Sequence, residues 1–105
     1  MKPAPEPADS VPAGPSKQEI AQARERMIQL DSRADAARSS IQQLRSQQQA
    51  QGFGLRGDIA ASLNRMNAYI NEANRSLNEN DLQTADVNMD RAEKELSTLE
   101  TFLGR

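Results

Sequence analysis

Residues 16–51 read SKQEIAQARERMIQLDSRADAARSSIQQLRSQQQAQ, thirty-six positions without a proline or glycine. Ser16 and Glu19 frame a capping box, in which the serine hydroxyl accepts from the Glu19 amide and the glutamate returns to the Ser16 amide. From there the apolar residues keep a heptad, with Ile20, Met27, Ala34 and Ile41 at a and Ala23, Leu30, Ala37 and Leu44 at d. The pattern predicts one continuous helix of about 35 residues, roughly 50 Å long. The alternative is a break near Asp31-Ser32. After Leu44 the seam gives way to Gln47, Gln48, Gln49 and Gln51, a solvated helix end.

Downstream, Gly52-Phe53-Gly54-Leu55-Arg56-Gly57 holds three glycines in six residues and reads as a loop, with Asp58 expected to cap the next helix. Ile59, Leu63, Met66, Ile70, Ala73 and Leu77 then recur every three or four residues. Asn80, suited to a left-handed backbone, and Asp81, suited to an N-cap, turn the chain over Asn78 to Asp81. A third helix places Leu82, Ala85, Met89, Ala92, Leu96, Leu99 and Leu103 on the same spacing and stops at Gly104. The expected fold is all-α: an up-down-up three-helix bundle in which an antiparallel hairpin packs on one long heptad-patterned helix, with helices at about 16–51, 58–79 and 81–103.

The charges suit parallel first and third helices. Arg26, Arg33, Arg38 and Arg45 flank the first seam, while Asp86, Glu93 and Glu100 line one flank of the third and Glu95 the other. Aligned at the glycine loop, the first helix overhangs the hairpin by roughly 13 residues, or about 20 Å. That alignment leaves Ile20, Ala23, Met27 and Leu30 beyond the hairpin's reach, where exposure forfeits roughly 1 kcal/mol or more per large side chain. The overhang is therefore expected to meet another helix, from a second copy or a different protein. The glycine loop is expected to lie against the end of the third helix, with Phe53 and Leu55 near Leu44, Leu99, Phe102 and Leu103.

Composition narrows the function. The chain of 105 residues carries 36% apolar residues, one tyrosine, two phenylalanines and no tryptophan, enough for narrow helix seams but not for a wide core. It has no cysteine and no histidine, which removes thiol chemistry, the commonest general base and the commonest zinc ligand. An enzyme is not expected, and no cofactor or small-molecule substrate is indicated. The net charge of −2 disfavours nucleic acid and acidic membranes as partners. No run of about eighteen apolar residues is present, so membrane insertion is not expected either. Residues 1–15 hold all five prolines and are expected to form a disordered Pro/Ala-rich tether.

Three local motifs have simple structural readings beside their functional ones. Arg56-Gly57-Asp58 spells an adhesion tripeptide, but turn, cap and solubility account for each residue. Asn74-Arg75-Ser76 fits a glycosylation pattern yet falls inside a helix. Asn64, Asn67, Asn71, Asn74 and Asn78 form a stripe beside the second seam, either a solvated flank or a row of amides for a partner helix or a glycan. The acidic residues lack the glycine and alternation of a calcium loop. Leu77 to Ala85 has the look of a tetratricopeptide hairpin junction, but no 34-residue period supports an array.

The leading expectation is a structural or protein-interaction module that self-associates or binds a partner helix through Ile20, Ala23, Met27 and Leu30. Two alternatives are the soluble domain of an envelope-attached lipoprotein, with residues 1–15 leading to the anchor, and a ligand sensor using Asn64, Asn67, Asn71 and Asn74.

Overall fold

A computed structural model describes residues 16–52 and 54–104, so the tether expected over 1–15 and the packing of Phe53 lie outside the described residues. Three helices follow one another: α1 (Lys17–Ala50), α2 (Gly57–Asn78) and α3 (Leu82–Phe102). The Ser16 hydroxyl accepts from the Glu19 amide at 3.1 Å and Glu19 Oε1 accepts from the Ser16 amide at 2.8 Å, closing the capping box. α1 then runs unbroken through Asp31-Ser32. Gly52, at φ +86°, takes the left-handed turn that releases it, a conformation costly for a residue with a Cβ.

α2 begins at Gly57, with Arg56 rather than Asp58 in the capping position. Asp58 sits one residue inside the first turn, where its charge still favours the helix dipole. The hairpin turn follows the sequence signals. Asn80 is left-handed at φ +60°, Asp81 Oδ1 accepts from the Thr84 amide at 3.2 Å, and Gly104 is left-handed at φ +79° just past α3.

Side-chain pairs give the direction of each helix. Arg26 meets Asp90 and Glu93 while Arg33, seven residues on, meets Glu100, so α1 and α3 run parallel. Arg65 meets Glu95 while the earlier Arg56 lies over Phe102, so α2 and α3 run antiparallel. The protein is an all-α, up-down-up three-helix bundle.

Its core is one continuous cluster. Ala23, Met27, Leu30, Ala34, Ala37 and Ile41 of α1 are buried with Met66, Ile70, Met89, Leu96 and Leu99 of the hairpin. Leu55, Phe102 and Leu103 pack against its glycine-loop end. α2 and α3 are the most closely packed pair, and the small buried residues Ser62, Ala73, Ser76, Ala85 and Ala92 let their backbones approach. Leu63, expected in the seam, is only partly buried, and Asn88 is buried though polar; its Nδ2 donates to the Thr84 carbonyl at 2.9 Å.

The expected N-terminal overhang is not found. Ala23, Met27 and Leu30 are 5%, 3% and 1% exposed within the single chain, and Ile20 is half-buried. Arg33 already meets Glu100 in the last turn of α3, so the surplus length of α1 lies at its other end and runs on to Ala50. The physical reason is composition. The seam has no large apolar residue after Leu44, so sliding the hairpin toward the N-terminus of α1 buries more apolar surface than aligning the helices at the glycine loop.

Candidate interaction surface

The a and d positions of α1 place Ala23, Met27 and Leu30 toward the hairpin, with Ile20 at the margin. Closed in this way they offer little surface to a second protein. The self-association seam expected there is corrected to an internal contact.

The asparagine stripe divides. Asn67 is half-buried and its Oδ1 accepts from Arg38 Nε at 2.7 Å, tying α2 to α1. Asn74 is exposed on the rim of a groove between the same helices, and Asn64 and Asn71 face solvent. Three of the four amides are thus exposed, and the fourth is engaged by Arg38. Ser76 is 2% exposed inside α2, an unfavourable setting for a glycosylation acceptor at Asn74.

Most of the charged groups are satisfied within the chain. Arg26 reaches Asp86, Asp90 and Glu93, and Arg33 reaches Glu93 and Glu100. Arg45, beyond the end of α3, pairs with none of the acidic residues among the described positions. On the opposite flank Glu95 Oε2 accepts from Arg65 Nε at 2.9 Å, and its Oε1 accepts from the Ser62 hydroxyl at 2.7 Å. The Arg65 guanidinium holds the Glu95 carboxyl below its usual range, helped by Ser62 and opposed by partial burial. Arg56 and Asp58 bind each other, at 2.6 Å between Nη2 and Oδ2, and Arg56 also lies 5.6 Å from the Phe102 ring centroid. The two charged ends of the adhesion tripeptide are therefore engaged with each other. This salt bridge lowers the Asp58 pKa.

The edge of α1 that borders α2 was not singled out by the heptad reading. It carries Ile28, 59% exposed, beside a shallow groove of about 200 Å³ lined by Arg24, Met27, Asp31, Asn74 and Leu77. The signal available in the sequence was a large apolar residue one position off the heptad, directly after Met27. Burial pushes the Asp31 carboxyl up, offset in part by Arg38 and reinforced by Asp35. Val87, on α3, is the other exposed large apolar residue among those described, at 43%.

Among the described residues no group of three acidic side chains is placed to hold a metal ion, and no helix is long and apolar enough to cross a membrane. No protein-family model matches the chain, and no curated protein or solved structure is detectably similar to it.

Proposed function

We propose that the chain is a non-enzymatic helical interaction module whose first helix meets a partner protein. The observation that supports this reading most is Ile28, more than half exposed on the rim of the α1–α2 groove, with Met27 and Leu77 also lining it. An exposed aliphatic side chain beside a concave surface is the arrangement that helix recognition uses, a knob together with a hole for the partner's knob. Elsewhere most of the charged side chains pair within the chain. Carboxylates that could act as acid or base pair with arginines across helix faces, and the surface grooves are open depressions rather than enclosed chambers. The buried a and d seam of α1 holds this helix against the hairpin and presents its outer edge in a fixed position.

The reading is tested by placing a photo-cross-linking amino acid at position 28 and, in a separate variant, at Ser97 on the exposed face of α3. Protein adducts from position 28 and none from position 97 are expected. Adducts from neither, or only from position 97, would contradict it.

A further inference from the structure

The edge of α1 around Ile28 has a charge order that the other described residues leave unanswered. Along it come Arg24, Ile28 and Asp31, all three lining the same groove. Arg24 is exposed, and no salt bridge among the described residues reaches it. Asp31 is half-buried and closes no salt bridge among the described residues; Arg38, the cation that acts on it, is already held by Asp35 at 2.5 Å and by Asn67. Arg24 and Asp31 stand seven residues apart, about 10 Å along the axis, so they do not bridge to each other.

We infer that this edge pairs with the same edge of a second copy of the chain, antiparallel about a two-fold axis near Ile28, with Arg24 of each copy against Asp31 of the other. The order basic, apolar, acidic is its own complement when reversed. Antiparallel pairing about an axis between Met27 and Ile28 sets position 24 of one copy opposite position 31 of the other, and the two-fold makes that contact twice. Parallel pairing would instead oppose Arg24 to Arg24 and Asp31 to Asp31, so the charges choose the direction as well as the partner. The two Ile28 side chains then lie beside the axis, each against the rim of the other copy's groove, and supply the apolar contact. A different protein would need to reproduce this reversed order, whereas a second copy carries it by construction of the two-fold. The contact is small, so the dimer is weak and reversible.

This inference rests on reading the outer edge of α1 as the interaction surface, and its test separates the two. Sedimentation equilibrium of the full chain from about 10 µM to about 1 mM is expected to show a reversible monomer–dimer equilibrium, with a dissociation constant in that range. Arg24→Asp and Asp31→Arg each place like charges in both contacts, and each is expected to weaken self-association by roughly tenfold or more. An equimolar mixture of the two variants is expected to recover it, because opposite charges again face each other at both contacts. Ile28→Ser is expected to weaken it by roughly tenfold as well. All of these positions are at the surface or its margin, and circular dichroism of each variant checks that the helices remain. A chain monomeric at about 1 mM overturns the inference. So does a dimer indifferent to Ile28→Ser and to both charge reversals, or a mixture no stronger than its components. If the chain stays monomeric while the cross-linker at position 28 captures a different protein, the two-fold pairing is wrong and the interaction reading stands.

Discussion

Arg38 of α1 donates through Nε to Oδ1 of Asn67 on α2 at 2.7 Å, and the same guanidinium holds Asp35 through Nη1 at 2.5 Å. One arginine therefore braces its own helix and fastens it to the next. It also gives one member of the asparagine stripe a structural task that the others lack.

Asn67→Ala is accordingly expected to destabilise the fold by about 1–2 kcal/mol, the cost of removing the acceptor of a charged, partly buried hydrogen bond. Asn71→Ala, at an exposed position, should stay within about 0.5 kcal/mol of the parent. Urea unfolding measures both. Equal effects at the two sites would show that the bond to Arg38 contributes nothing.

Much of the architecture was legible in the residues. The Ser16 and Glu19 capping box, the left-handed Asn80, the Asp81 cap and the Gly104 stop all operate as their chemistry suggests. The heptad of α1 identified its buried face, from Ala23 to Ile41. What the pattern did not contain was the axial offset between helices. Periodicity records which face is apolar, while the offset depends on where large side chains sit along the seam, and α1 has no large apolar residue after Leu44. Ser62, Ser76 and Asn88 were missed in the core because close backbone approach and local hydrogen bonds bury polar residues that apolar spacing ignores. Ile28 was not singled out as an exposed apolar residue because the heptad records only the positions on its seam, and Ile28 lies one position off it.

Glu95 links stability to pH. Arg65, with help from Ser62, depresses its folded-state pKa below the ordinary value of 4.5, so the folded chain takes up this proton less readily than the unfolded one. The resulting stabilisation is complete above about pH 4.5 and is lost as the pH falls through the depressed value. Glu95→Gln should therefore cost about 1–2 kcal/mol at neutral pH and progressively less toward pH ~3, as read from urea midpoints. A difference that stayed constant across this range would mean that the carboxylate charge has no part in the Ser62 and Arg65 contacts.

Leu30, 1% exposed, is expected to behave as a core residue of the monomer. Truncation to alanine should cost about 2–5 kcal/mol and lower the thermal midpoint of a dilute sample, whereas Gln29→Ala, on the solvent side of the same turn, should change it little. A Leu30→Ala midpoint equal to the parent's would place this part of α1 away from the hairpin.

Amide hydrogen exchange on the dilute chain tests most directly that α1 closes against the hairpin within one molecule and so meets any partner by its outer edge. Residues 23–41 should exchange as slowly as the amides around Met66 and Leu96, reporting a single cooperative unit, while residues 45–51 exchange early. Rapid exchange over residues 20–30, with the hairpin still protected, would contradict the account and restore the seam of Ile20, Ala23, Met27 and Leu30 to the surface.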